Sequence, residues 1–295
     1  MRKGVMALKL ERYHRAASVD ECAELIAEYG DGASFLAGGT DLIPKMRQGR
    51  HSVPVVIDLA HISELCGIKR EENGVVIGSM HRLRALQNEE SLTGAIGVLR
   101  QGAGHVSSMQ VRNVATLGGN ICNASPAADT IPSLLLLDAV ARVYGKQGAR
   151  EIPLESFFSG PGKTVLRPDE LLTGVFIPDA APNTGAAYRK YTIRGDSDIS
   201  IVGAGALVAL DADGRVTAAR IALASMGPTP LRMKREEQML IGMRPEAALL
   251  ADVAAACAES CTPVTDQRAT KEYRKEMTRV WVEDALKEAV SSATK

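Results

Sequence analysis

Two short stretches set paired glycines among hydroxyls and acids, a combination that can hold a phosphate. The longer is Ala115-Thr116-Leu117-Gly118-Gly119-Asn120-Ile121-Cys122-Asn123-Ala124-Ser125-Pro126-Ala127-Ala128-Asp129. The shorter is Phe35-Leu36-Ala37-Gly38-Gly39-Thr40-Asp41. Neighbouring glycines let backbone N–H groups approach a ligand closely and permit positive φ. A concave row of such N–H groups binds anions. Thr116, Asn120 and Ser125 add side-chain donors. Two loops so alike in one chain predict two sides of a single phosphate-bearing ligand. The longer run suits neither a regular helix nor a strand, so it reads as a loop. Other chemistry is hard to find. There is no nucleophile elbow, no H-E-x-x-H and no G-x-x-x-x-G-K-[ST]. The acidic pairs Glu71-Glu72 and Glu236-Glu237 lie in polar runs and read as solvated faces.

These loops need elements to position them. Ser18 and Glu21 form a capping box before Cys22, Leu25, Ile26 and Tyr29 at helical spacing, and Gly30 ends that helix. Strands are predicted over 34–37 and 53–59, with one or two helical turns over 41–47 between them. The first glycine pair therefore sits at the carboxyl end of a strand, a common ligand position in α/β units. Further strands are predicted at 74–78, 141–144, 148–153 and 170–177, and helices near 82–87 and 96–101. Gly102-Ala103-Gly104-His105 should break the latter. Ile131-Pro132 opens a buried helix whose N-terminus points toward Asp129. Residues 178–185, rich in Pro, Ala, Asn and Gly, read as a linker.

Beyond the linker, a strand over 186–191 precedes Ile199 to Val208. Gly203-Ala204-Gly205 resembles a dinucleotide fingerprint, but its sixth position is Val208 and no helix follows. Asp211-Ala212-Asp213-Gly214 instead predicts a hairpin turn, with a returning strand to Ala224. Amphipathic helices over 245–260 and 272–289 close the chain. Strands followed by helices make this part α+β. The charged run Lys271 to Glu276 reads as a solvated face.

Composition sets outer limits. The 295 residues carry 35 basic and 35 acidic side chains and 4% aromatics. That balance argues against nucleic acid and anionic membranes as partners. No apolar run reaches the ~20 residues that span a bilayer. Met1-Arg2-Lys3 is basic, but Gly4 to Leu10 is too short for a signal-peptide core, so a cytoplasmic location is expected. Five scattered cysteines include no C-x-x-C pair. Cys257 and Cys261 read as buried small apolar residues rather than ligands of a metal centre.

Both glycine loops, Val111-Arg112-Asn113 and Ser125 to Asp129 around the second, Gly160-Pro161-Gly162-Lys163, Tyr188-Arg189-Lys190-Tyr191 and Asp196-Ser197-Asp198-Ile199-Ser200 occur in one order. As a set they resemble the FAD-binding subunits of the molybdenum hydroxylases, over essentially the whole chain. The resemblance implies an α+β fold: a two-lobed FAD-binding domain of the vanillyl-alcohol-oxidase-like (PCMH) type at 1–178, with lobes of about 1–60 and 61–178. A C-terminal flavoprotein domain, a small antiparallel sheet with helices, would follow at 186–295.

The resemblance also implies roles. Leu36, Ala37, Gly38, Gly39, Thr40 and Asp41 would wrap the FAD pyrophosphate and ribityl region with backbone N–H groups. Thr116, Leu117, Gly118, Gly119 and Asn120 would complete the cradle. Asp129 would contact the FAD, although its place before Thr130-Ile131-Pro132 equally suits an N-cap. Leu172 would lie near the ring, and Lys190 would bring a cation to the pyrimidine end, raising the ring's reduction potential. Ile199 would cover one ring face, and Val106 stands where some relatives carry Phe. The implied partners are a large molybdenum-cofactor (molybdopterin) subunit and a small subunit with [2Fe–2S] clusters, as a dimer of heterotrimers. NAD⁺ is the first acceptor implied, with a quinone or oxygen open. Markers such as Tyr13-His14-Arg15-Ala16-Ala17 point most toward bacterial xanthine or purine dehydrogenases. Two alternatives stand at this point: an independent FAD oxidoreductase of the same fold, and a non-catalytic nucleotide-binding module.

Overall fold

The computed structural model describes residues 10–195 and 197–294. The basic start Met1-Arg2-Lys3, the family marker Asp196 and the terminal Lys295 lie outside them.

Three short strands, β1 (Arg12–Arg15), β2 (Ala33–Leu36) and β3 (Val55–Asp58), form a parallel sheet in the order β1-β3-β2. The central strand is buried at all four positions. Its continuous apolar run follows from being covered on both faces. The connecting helix Val19–Tyr29 is capped by Ser18, whose Oγ accepts the Glu21 N–H. Glu21 reaches back to the Ala17 N–H, one residue beyond the predicted box. The first glycine loop leaves the end of β2 and enters the short helix Leu42–Arg47.

A second, antiparallel sheet comprises β4 (Ile68–Glu71), β5 (Gly74–Gly78), β6 (Val140–Gly145), β7 (Gly148–Pro153) and β10 (Leu171–Pro178). Its order is β4-β5-β10-β6-β7, and β8 (Phe158–Gly160) and β9 (Lys163–Thr164) pair beside it. The helices Leu83–Gln87, Val98–Gly104, Leu117–Cys122 and Thr130–Leu136 accompany this sheet. Gly102 to Gly104 do not break a helix as predicted; they are the last turn of one. A Cβ at Gly102 would lie 2.6 Å from Ser133 Oγ, so close helix packing explains the glycine.

The third sheet runs β11 (Thr184–Tyr191), β12 (Val202–Leu210), β13 (Val216–Ala224) and β14 (Leu231–Arg232), all antiparallel and in sequence order. Gly203-Ala204-Gly205 is the start of β12, paired on both sides, which bears out the rejection of a dinucleotide fingerprint. All nine positions of β12 are buried. The C-terminal helix Lys271–Ala293 packs against β11 and β12, and the helix Thr130–Leu136 against β12 and β13. The fold is α+β.

Two polar runs differ from expectation. Glu236 and Glu237 are buried rather than solvated. Glu237 accepts from the Ile221 N–H and chelates Arg232, and Glu236 accepts from Ser260 Oγ. Within the charged run 271–276, Arg274 is likewise buried, donating to the Ile201 carbonyl and Asp266. Hydrogen-bond partners make these burials possible, several of them, such as Ser260 and the Ile201 carbonyl, far off in sequence where local pattern does not reveal them. Cys257 and Cys261 are buried and free.

Candidate ligand-binding site

The two glycine stretches face one cavity of about 720 Å³. That volume falls within the roughly 300–1,000 Å³ of small-molecule and cofactor sites. Of the fifteen residues singled out above, thirteen line it: Ala37, Gly38, Gly39, Thr40, Asp41, Thr116, Gly118, Gly119, Asn120, Asp129, Leu172, Lys190 and Ile199. Leu36 and Leu117 do not. Leu36 packs with Met46, Val53 and Val56 behind the first loop, and Leu117 is wholly buried in the main core.

The first loop behaves as its composition predicts. Gly39 adopts φ +71°, the left-handed region open to glycine. No described residue accepts a hydrogen bond from the N–H groups of Gly38, Gly39, Thr40 or Asp41. This row of uncommitted donors at the cavity wall suits an anionic group. A Cβ built at Gly38 would overlap the Val114 carbonyl oxygen, so this glycine lets the first loop lie directly on the second stretch.

The second stretch departs from expectation. Leu117–Cys122 is a short helix, not a loop, with Thr116 as its N-cap. Its N–H groups are already committed. Leu117 donates to the His81 carbonyl, Gly118 to that of Ser79, Gly119 to Thr116 Oγ1 and Asn120 to the Thr116 carbonyl. The stretch is therefore a rigid wall rather than a nest of N–H groups. Gly118 is required by packing, since a Cβ there would lie 2.6 Å from that of Ser79. Gly119 keeps the wall flat opposite Ala37. Lys45 donates to Asn123 Oδ1 at 2.6 Å, tying the two sides together. That cross-link joins residues 78 apart and left no mark in either local pattern.

Opposite stand buried polar groups. Asp129 occupies the N-cap position of Thr130–Leu136, but its side chain makes no capping bond. Instead Oδ1 accepts from the Tyr188 hydroxyl at 2.9 Å and Oδ2 from Lys190 Nζ at 2.8 Å. Lys190 also donates to the His105 carbonyl at 2.9 Å. Burial raises the Asp129 pKa to about 6, with Lys190 and Tyr188 holding it from going higher. Burial, and then the neighbouring Asp129, push the Tyr188 phenol well up. So the cation expected at Lys190 is present, but paired.

Leu172 is placed by an irregularity in β10, where the pairing register with β6 shifts between Leu172 and Gly174. Such bulges commonly re-aim side chains beside sites. Val106, Leu166, Leu171 and the half-exposed Ile199 complete an apolar part of the lining, while Thr40, Asp41, Asn120, Asn123 and Ser125 supply a polar part. The lining thus offers donors to an anionic group and an apolar part to a ring. Tyr188 is the site residue to which sequence assigned no role. Its i, i+2 spacing from Lys190 on a strand, which puts both on one face, was the available signal.

Comparison with known proteins adds a history to this geometry. Residues 7–180 match the FAD binding domain in molybdopterin dehydrogenase, and residues 186–289 match the CO dehydrogenase flavoprotein C-terminal domain. A xanthine dehydrogenase FAD-binding subunit of Escherichia coli O157:H7 is 32% identical over 283 residues, covering 95% of this chain and 96% of its own. The carbon monoxide dehydrogenase medium chain of Afipia carboxidovorans is 32% identical over 282 residues, covering 95% and 97%. The solved carbon monoxide dehydrogenase of Hydrogenophaga pseudoflava which lacks the Mo-pyranopterin moiety superimposes with a TM-score of 0.93 at 31% identity, covering 97% of this chain and 99% of that one.

Proposed function

Because this chain belongs to the FAD-binding subunits of the molybdenum hydroxylases, we propose that it carries electrons from the [2Fe–2S] clusters of a small partner subunit, through FAD, to NAD⁺. A large molybdenum-cofactor subunit oxidises the organic substrate, most nearly a xanthine or purine, and the assembly is a cytoplasmic dimer of heterotrimers. The observation that carries this reading is the single cavity shared by the two glycine stretches. Among the described residues no helix is long and apolar enough to cross a membrane.

When bound, FAD supplies redox chemistry that the side chains of the cavity do not offer. The chain's own part is to bind and orient. The uncommitted N–H groups of 38–41 would receive the diphosphate, and Gly119 would leave the facing wall without a side chain. Leu172 would lie near the ring and Ile199 would cover one of its faces, limiting water around it. Lys190, held on Asp129, would bring its charge to the pyrimidine end of the ring. We assign FAD binding to residues 1–178, with lobes of about 1–60 and 61–178, and the C-terminal flavoprotein domain to 186–295.

Purification of the native complex tests the whole reading. A yellow preparation with two further subunits, whose flavin band bleaches anaerobically on NADH addition, is expected. A colourless chain refutes FAD binding. A yellow complex untouched by NADH but reduced through its partners refutes NAD⁺ alone.

A further inference from the structure

We propose that the Tyr188 hydroxyl is a positioning group that keeps Asp129 ionised, and so keeps the charge of Lys190 compensated at the cavity wall. The proposal rests on the reading of the cavity as an FAD site, but its geometry does not depend on a bound ligand.

Tyr188 and Lys190 alternate on β11, so both side chains reach Asp129 from the same face of the sheet. Each oxygen of the carboxylate takes one of them. The phenol is wholly buried. Its place is shaped by the neighbouring strand. A Cβ at Gly203, which pairs with Lys190 across the sheet, would lie 2.5 Å from the Tyr188 oxygen. Gln101 Oε1 accepts the Tyr188 N–H at 2.7 Å, and the His105 ring stands edge-on to the phenol, with centroids 5.8 Å apart. The hydroxyl is thus set between Asp129 and Gly203, while Gln101 holds the Tyr188 backbone and His105 its ring.

The consequence is electrostatic. A hydrogen bond donated to a carboxylate favours its ionised form. With Asp129 ionised, the Asp129–Lys190 pair is neutral toward the cavity. With Asp129 protonated, Lys190 is left as a net cation. Tyr188 and Lys190 reach the carboxylate from β11, and His105, after the helix Val98–Gly104, gives Lys190 its carbonyl; the same cavity is also lined by Asp41, Lys45, His51, Glu170, which pairs with Arg150, and Asp198, on the loop after β11, which pairs with Arg194. Burial already places Asp129 at about 6, within reach of physiological pH. Removing the phenol oxygen removes a force that lowers it, so its midpoint moves up.

The test titrates the full chain, with FAD added, from acid to neutral pH. Asp129 is followed by its carboxylic-acid infrared band, identified as the band missing in Asp129→Asn, and in parallel by the visible spectrum of bound flavin. Tyr188→Phe should keep its flavin while the Asp129 midpoint rises by about one to two pH units, the worth of one hydrogen bond to a charged group. The flavin spectrum should follow the same midpoint, and Asp129→Asn should abolish that step. An unmoved midpoint in Tyr188→Phe overturns the proposal. A spectral step that survives in Asp129→Asn overturns it too, since another group then titrates. Loss of flavin from a folded Tyr188→Phe would make the tyrosine part of the binding wall, and also overturns it. A wild-type chain that takes up no flavin sinks the functional reading, yet leaves the infrared midpoint to decide the role of Tyr188.

Discussion

Gly38 and Gly119 lack a side chain for different reasons, and substitution separates them. At Gly38 an added Cβ would overlap backbone of the facing stretch, which can yield only if the two sides of the cavity move apart. At Gly119 the nearest atom is Thr116 Oγ1, 3.0 Å away, and the position lies in a helical first turn that alanine favours. Gly38→Ala should therefore cost about 1–3 kcal/mol, the usual range for overpacking, while Gly119→Ala stays within about 1 kcal/mol of the parent. Urea unfolding measures both, and a larger loss at Gly119 would contradict this assignment. Sequence alone marked both glycines as ligand contacts, since a glycine pair looks the same whether it admits a ligand or a neighbouring backbone. Lys190 teaches the same lesson. Its charge was legible, but its partner Asp129, 61 residues away, was not. A ring held beside it would therefore feel a compensated cation, weaker than a lone one.

At the scale of elements, the helix Leu117–Cys122 is the main surprise. Two consecutive glycines are poor helix formers, each worse than alanine by about 1 kcal/mol, so local propensity alone predicts a loop. Tertiary anchoring reverses that. Arg82 and Thr116 form an antiparallel bridge, and the carbonyls of Ser79 and His81 take the first N–H groups. Thr116 then supplies the remaining cap. Thr116→Val keeps the shape but strands the Gly119 N–H, and should destabilise by about 1 kcal/mol, whereas Thr116→Ser should recover most of it. Equal stability of the valine and serine variants would show that the cap is dispensable. The longer elements were readable because their periodicity is strong: the helix from Ser18, the strands β5, β6, β7 and β10, and the β12–β13 hairpin. The buried Glu236, Glu237 and Arg274 were not. Their burial depends on partners such as Arg232, Ser260 and Asp266, and no local pattern encodes those meetings.

For the molecule as a whole, the cores decide what unfolds together. The main core joins Leu117, Ile131 and Leu172 to Ala186, Tyr188, Leu207 and Ala222, so the third sheet shares its interior with the second. The first sheet has mainly its own smaller clusters, reaching the rest through Met80 and Leu171 and through exposed polar links such as Lys45–Asn123 and Tyr144–Asp20. Three four-residue strands with that little shared interior should release first. The only tryptophan, Trp281, stacks on Tyr191 in the C-terminal part and reports on the larger unit. Without ligand, far-ultraviolet dichroism in urea should therefore begin to fall before tryptophan fluorescence does. A ligand held between the first sheet and the rest binds only while both are in place. At a hundredfold excess over its Kd it should stabilise the early transition by about 2.7 kcal/mol and leave the later one where it was. Added FAD should thus bring the two curves together by moving the first alone. Curves that coincide from the start, or shift in parallel, would mean that the first sheet is not a separate wall of the site but part of one indivisible core.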